Sequence, residues 1–315
     1  MELPPLFLKR LEGIIPRRRW SGFLKTFALP RATTFRVNTL KAPDLADIRL
    51  KLENAGFGLE RVSWCPEAFI LKRGRLVELE KTDLYREGGI YVQSLSSMVP
   101  VMVLDPRPGE SILDLTAAPG SKTTQIACLM RNEGELVAND NNRVRFYKLK
   151  ANLERQGVRN AQVSLRYGES FGRRFPEHFD RVLLDAPCSS EGRFNVREPK
   201  TYRYWKPSKV HEMARKQRRL LASAFKALRP GGVLVYSTCT FAPEENEMVI
   251  EDFLRRFPDG ARLDAMDLHH LKNACRALLG WEGKRFNPSM ARAVRILPTE
   301  LMHGFFIAKI RKGTL

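Results

Sequence analysis

Several things are missing from this 315-residue sequence, and each absence closes off a class of protein. The five cysteines, Cys65, Cys128, Cys188, Cys239 and Cys275, are odd in number and include no CxxC pair. That sets aside a disulfide framework and a cysteine-built zinc site, and leaves free thiols in a reducing compartment. The five histidines show no metal-ligand spacing, so no metal is expected, and His269-His270 reads as a surface pair. No apolar run approaches the roughly 20 residues that a membrane helix needs. Met1 to Arg10 has no long apolar stretch with a small-residue cleavage site, so a cytoplasmic protein is expected. Internal repeats and low-complexity tracts are absent too. Acidic charge is in short supply: 35 Asp plus Glu stand against 54 Lys plus Arg, a formal +19. A polyanion is the natural partner of such a surface, with nucleic acid favoured, although a solvated basic face gives the same count.

What is present begins with 43% hydrophobic residues, enough for an ordinary core, in a length that allows two domains. Residues 1 to about 30 read as a basic helical lead-in around Arg17-Arg18-Arg19-Trp20. Residues 34–104 mix short elements: a strand at Thr34–Asn38, a helix at Asp44–Ala55, strands at Ala68–Leu71 and Leu76–Leu79, and a helix over Tyr91–Leu104. Asp105-Pro-Arg-Pro-Gly109 is the strongest punctuation, so a first unit over 1–104 and a second over 105–315 are expected. From there strands and helices alternate: strands at 111–115, 135–140, 162–165, 180–185 and 233–237, helices at 121–130, 143–156, 208–228 and 244–257, and a closing strand pair at 293–297 and 305–310. Such alternation predicts an α/β fold with a doubly wound, mostly parallel sheet that binds ligands beyond the carboxyl ends of its strands.

Asp114-Leu-Thr-Ala-Ala-Pro-Gly-Ser-Lys-Thr123 follows a strand and opens a helix. Small residues let a ligand approach the backbone, and a helix N-terminus offers free N–H groups to a carboxylate. The turn carries neither GxxxxGK(S/T) nor GxGxxG, which excludes a P-loop and weakens a dinucleotide site. Asp140, ending the next strand, is placed to accept hydrogen bonds from two ribose hydroxyls. The pattern fits a nucleoside cofactor without a pyrophosphate, and equally fits a tight turn with a helix-capping Asp. Asp185-Ala-Pro-Cys188 and Thr238-Cys239-Thr240 end two further strands, which points both thiols at one sheet edge. Thiolate is a strong soft nucleophile. Carbon 5 of a pyrimidine becomes nucleophilic once a thiolate has added at carbon 6, so a cysteine beside a methyl donor has a chemical purpose. Either cysteine alone reads as a small buried hydrophobe.

These segments, with Glu244-Glu-Asn246, resemble the Sun-type (Nol/Nop/Sun) RNA cytosine-5 methyltransferases over nearly the whole chain. Arg36-Val-Asn-Thr-Leu-Lys41 resembles the family's N-terminal RNA-binding module, Tyr91-Val-Gln-Ser-Leu-Ser-Ser97 its entry to the catalytic domain, and Gly304-Phe-Phe-Ile-Ala-Lys309 its terminal strand. The resemblance implies a Rossmann-like S-adenosylmethionine-dependent domain, with an antiparallel closing strand, behind a small α+β RNA-binding module. It implies that Cys239 attacks carbon 6 of cytosine and that Cys188 assists breakdown of the adduct. It places Asp185 on the target base and near the cofactor, and Lys122 in the catalytic pocket. S-adenosylmethionine is implied to sit against Thr116, Ala117, Ala118, Pro119, Gly120, Ser121, Lys122, Asp140 and Asp185. A monomer acting on rRNA or tRNA is expected, with no membrane partner. Two departures stand out. Tyr167 occupies the place of an Asp that often follows the family's third strand, with Glu169 as an alternative, and Ser189-Ser190 stands where Ser-Gly usually follows the PC motif.

Arg193, Lys200, Arg203 and Lys206, interleaved with Phe194, Tyr202, Tyr204 and Trp205, suit single-stranded RNA or, equally, a loop packing its aromatics inward. Arg215, Lys216, Arg218 and Arg219 read as a solvated helix face, and Cys65, Cys128 and Cys275 as structural residues. A DNA cytosine-5 methyltransferase does similar chemistry, but its nucleophile is the PC cysteine and Cys239 would have no counterpart. A non-catalytic RNA-binding or ribosome-assembly factor of the same fold is the alternative from another class, and a nicotinamide oxidoreductase is set aside by its missing glycines.

Overall fold

The computed structural model describes residues 3–314, so residues 1, 2 and 315 of the two expected units lie outside it. The chain opens with helices α1 (Pro5–Glu12) and α2 (Trp20–Lys25). An antiparallel four-stranded sheet follows, built from β1 (Thr34–Val37), β2 (Gly58–Arg61), β3 (Ala68–Arg73) and β4 (Ile90–Val92) in the order β2-β3-β1-β4. Helices α3 (Leu45–Asn54), α4 (Leu76–Leu79) and α5 (Asp83–Arg86) connect these strands, and α6 (Leu95–Leu104) leads onward. Asp44 caps α3 by accepting from the amides of Ala46 and Asp47.

Two local expectations are corrected here. Leu76–Leu79, expected as a strand, is helix α4, because Glu78 reaches back to accept from the amide and the guanidinium of Arg75 at the helix start. The helix expected over Tyr91–Leu104 begins at Leu95, since Tyr91 and Val92 pair with Arg36 and Phe35 as strand β4.

The second layer system holds β5 (Ser111–Asp114), α7 (Ser121–Met130), β6 (Glu135–Asp140), α8 (Arg143–Arg155), β7 (Ala161–Leu165), α9 (Phe171–Arg174), β8 (Phe179–Asp185), α10 (Pro207–Ala227), β9 (Leu228–Thr238), α11 (Glu247–Arg256), β10 (Ala261–Asp264) and β11 (Ala274–Arg276). After a short hairpin of β12 (Gly280–Trp281) and β13 (Lys284–Arg285) come β14 (Val294–Ile296) and β15 (Phe305–Lys312). The strand order is β11-β14-β15-β9-β8-β5-β6-β7, with β10 added to β15. Strands β5 to β9 are mutually parallel, and β15 closes antiparallel on β9. This is the expected α/β methyltransferase architecture with its antiparallel closing strand, preceded by an α+β unit.

Helix α10 shows why the sheet is covered as it is. Pro207 starts it, where the missing N–H costs nothing. Val210, Met213, Ala214, Gln217, Leu220, Leu221 and Ala224 recur at helical spacing and are buried against the sheet. The helix stops at Ala227, and Pro230-Gly231-Gly232 lies inside β9, which starts earlier than the expected Val233. On the opposite face, α6 packs Met98, Val99 and Val101 against Leu183, Val235 and Ile307. The lead-in forms a separate apolar cluster in which Phe7 meets Phe194, and Phe23 and Phe27 meet Phe241. Among the described residues no helix is long and apolar enough to cross a membrane.

Candidate active site

Asp114, Asp140 and Asp185 are the last residues of β5, β6 and β8, and Cys239 follows the last residue of β9. Parallel pairing puts these termini along one edge of the sheet, so the four groups expected from pattern to converge do so. Two adjoining cavities open there, of about 420 and 440 Å³. Both are walled by Thr116, Ala118, Arg145, Asp185, Arg193 and Cys239.

At their junction Lys122, from the first turn of α7, sends Nζ to Asp185 Oδ2 at 2.6 Å and to Ser97 Oγ at 2.8 Å. Ser237 Oγ donates to Asp185 Oδ1 at 2.8 Å, which fixes both carboxylate oxygens. The sulfurs of Cys188 and Cys239 are 3.4 Å apart. Their electrostatics differ in sign. Cys239 is lowered to about 7, chiefly by the hydrogen bond from the Cys188 thiol and further by the Arg193 charge, against burial and Asp185. Cys188 is pushed well above the ordinary thiol range by the same hydrogen bond and by burial. Both directions favour the proton on Cys188 and the negative charge on Cys239.

The loops carrying the cysteines are tied together from behind. Gly192 donates its amide to Cys239 O at 2.9 Å, and Gly304 donates to Gly192 O at 3.1 Å. A Cβ on Gly192 would meet Gly304 O at 2.2 Å, so this close approach requires glycine. Glu245 Oε2 accepts from the Ser189 amide at 3.0 Å and Gln217 Nε2 at 2.8 Å, while its other oxygen takes the Ser189 hydroxyl. Burial raises Glu245 to about 8. Thr238 Oγ1 donates to Asn246 Oδ1 at 2.6 Å. The Glu-Glu-Asn segment thus braces the cysteine loops.

Of the residues expected against the cofactor, Thr116, Ala117, Ala118, Pro119, Ser121, Lys122, Asp140 and Asp185 line one or both cavities. Gly120 does not line them. It shapes the turn with φ +109° and backs onto Leu149. Asp114, which the sequence offered only as a strand end, carries a further signal. Its Oδ2 accepts from Thr123 Oγ1 at 2.7 Å, whereas Oδ1 is buried without a partner, and burial raises the group to about 7. An orphaned carboxylate oxygen beside the Gly turn is complementary to an ammonium, and Asp140 is complementary to a ribose diol. S-adenosylmethionine carries both groups, so the donor set fits it. Tyr167 is 74% exposed, and neither it nor Glu169 lines the cavities, where Asn139, Asn141, Gly168 and Leu220 stand instead.

Several expectations shift. Phe194 and Tyr202 are core residues and Trp205 donates to Glu191, which leaves Tyr204, under the Arg203 guanidinium, as the exposed aromatic of that loop. Arg193 faces the cavities, and Lys216 lines one of them. Cys128 is half-buried, and its thiol donates to Asn38 Oδ1 at 3.1 Å. His303, whose approach nothing in the sequence signals, lines the cavity near Lys122 and is held neutral, lowered to about 4 by burial. No cluster of three or more His, Cys, Asp or Glu among the described residues is arranged to hold a metal.

Residues 101–311 match the family model for the 16S rRNA methyltransferase RsmB/F, and residues 3–95 match the N-terminal domain of the 16S rRNA methyltransferase RsmF. The chain belongs to the RsmB/F methyltransferase family. Members of this Sun-type family use S-adenosylmethionine, and so does this RsmB/F protein. The chain is 45% identical over 290 residues to a tRNA (cytosine(49)-C(5))-methyltransferase of Pyrococcus abyssi, covering 90% of this chain and 89% of that one. It is 41% identical over 315 residues to the ribosomal RNA small subunit methyltransferase F of Vibrio parahaemolyticus, covering 98% of this chain but 63% of the relative's length. Among solved structures, a methyltransferase homologue from Pyrococcus horikoshii superposes with TM-score 0.82 at 35% identity, covering 98% of this chain and all of that one. The NSun6 of Pyrococcus horikoshii with SFG gives 0.81 at 25% identity, covering 99% of both chains.

Proposed function

We propose that this protein, an S-adenosylmethionine-dependent RNA cytosine-5 methyltransferase, works through a covalent bond between Cys239 Sγ and carbon 6 of its target cytosine. The observation that carries this is the 3.4 Å sulfur pair at two neighbouring strand ends, with the thiolate favoured at Cys239. The Cys239 lone pair forms the C–S bond, and the C5–C6 π pair moves to carbon 5, which becomes the nucleophile for the methyl group. S-adenosylmethionine supplies that methyl group on a positively charged sulfur. The carbon 5 proton then leaves to a base, its bonding pair restores the C5–C6 double bond, and Cys239 departs as thiolate. Cys188 assists this breakdown and release.

Asp185, held by Lys122 and Ser237, orients the base, and Asp114 and Asp140 hold the two ends of the cofactor. Residues 1–104 act as the RNA-binding module with its lead-in, and 105–315 as the catalytic unit. The relatives' names point to a tRNA or rRNA substrate, and we take the protein to act on it as a cytoplasmic monomer. An unstacked or flipped cytosine is required, because a stacked ring hides carbon 6.

The test compares labelled methyl transfer and denaturation-stable protein–RNA adducts in wild type, Cys239→Ala and Cys188→Ala. Cys239→Ala is expected to form no adduct and no 5-methylcytosine, and Cys188→Ala to accumulate adduct. Adduct in Cys239→Ala and none in Cys188→Ala would reverse the assignment.

A further inference from the structure

The loop after the PC motif holds a residue in an unfavourable conformation. Ser190 has φ +61° and ψ +25°, left-handed backbone that glycine adopts freely and a side chain resists. The conformation is imposed from both sides: Gly192 is fixed to Cys239 O, and Arg193 donates its amide to Ser190 O at 3.0 Å. A side chain kept where the backbone disfavours one implies a contact that compensates.

That contact is with the nucleophile. Ser190 Oγ lies 3.6 Å from Cys239 Sγ and 3.5 Å from Cys188 O, and Ser190 lines the same cavity as both cysteines. While Cys239 is a thiol, its S–H points to Ser190 Oγ and the hydroxyl proton points to Cys188 O. Once Cys239 is ionised, a rotation about the Cβ–Oγ bond turns the hydroxyl into a donor to Sγ, with no backbone movement.

We propose that Ser190 is a further catalytic residue, a second hydrogen-bond donor to the Cys239 sulfur that stabilises it both as attacking and as departing thiolate. The first donor, Cys188, has a task of its own during breakdown of the adduct and is not free to serve the leaving sulfur throughout. When it turns to the sulfur, Ser190 Oγ gives up only a long contact of 3.5 Å with Cys188 O. Its share in lowering Cys239 is smaller than those of Cys188 and Arg193. The expected change on its removal is accordingly modest, about half a pH unit, or roughly threefold in thiolate fraction below the midpoint.

The experiment measures the rate of iodoacetamide alkylation at Cys239 against pH, resolved by peptide mass spectrometry, in wild type, Ser190→Ala and Ser190→Gly. Ser190→Ala removes the hydroxyl and keeps the strained backbone, whereas Ser190→Gly removes both. The midpoint is expected to rise by about half a unit in both variants, single-turnover methyl transfer below pH 7 to slow about threefold in parallel, and Ser190→Gly to melt no lower than wild type. Unshifted midpoints in both variants, or a shift in one alone, overturn the proposal. The inference rests on Cys239 as nucleophile. Adduct persisting in Cys239→Ala would sink that assignment whatever the midpoints do, and unshifted midpoints would sink the role of Ser190 even with Cys239 confirmed.

Discussion

Replacing Lys122 with methionine keeps the length of the stem and removes its charge. The ammonium lies 2.6 Å from Asp185 Oδ2, with the two side chains 8% and 28% exposed. At an effective dielectric near 20, two unit charges at that separation attract by about 6 kcal/mol, most of which offsets the loss of hydration. Breaking a fully buried pair costs about 3–5 kcal/mol, because one charge is left without a partner. Asp185 keeps some solvent and the Ser237 hydroxyl, which brings the expected loss to about 2–3 kcal/mol. For a chain of this length the entropy of unfolding is about 0.7 kcal/mol/K, so the melting temperature falls by roughly 3–5 °C. Thermal unfolding without cofactor reads this directly. The double variant Lys122→Met/Asp185→Asn, with both charges gone, is expected to recover most of the loss while methyl transfer stays low. A single variant that melts within about a degree of wild type, or a double variant that loses the sum of the two singles, would refute the coupling.

Other outcomes can be checked alongside. Glu245 binds a proton more tightly in the folded state than in the unfolded chain, so stability falls as pH rises from the unfolded carboxylate range through about 8. Glu245→Gln is expected to flatten that slope in melts between pH 5 and 8.5, with Asp114 retaining its own contribution up to about pH 7; an unchanged slope would contradict this. Gly192→Ala places a methyl group 2.2 Å from Gly304 O and is expected to displace the cysteine loop, lowering methyl transfer at least tenfold with cofactor affinity, read by calorimetry, largely kept. Arg295→Met strands Glu247, which is fully buried in a two-armed pair, and is expected to cost about 3–5 kcal/mol in denaturant melts.

The catalytic half was legible because its signals are local. Small residues at 117–120 follow a strand, and Asp140, Asp185 and Cys239 each close or follow one, so strand order alone carries them to one edge. The N-terminal half was harder. Leu76–Leu79 is too short for periodicity to separate strand from helix, and the capping contact of Glu78 decided it. The loop at 193–206 mixed both of the alternatives left open for it. Whether Phe194 faces RNA or the core depends on Phe7, nearly two hundred residues away, and no spacing encodes that. The partnerless oxygen of Asp114 and the neutral His303 are products of burial, which appears only once the layers have closed.

The lead-in has a consequence for how the protein is made. Arg10 is paired with Glu244, 234 residues later, and Phe23 with Phe241, on the loop that follows Cys239. The lead-in leaves the ribosome well before these partners and must wait for nearly the whole of the second sheet. At about 5–20 residues per second that wait lasts roughly 12–45 seconds. Throughout it Phe7, Leu11, Phe23 and Phe27 have one another but lack Phe194, Tyr202 and Phe241, the distant half of their cluster. The site is therefore among the last parts of the molecule to come together.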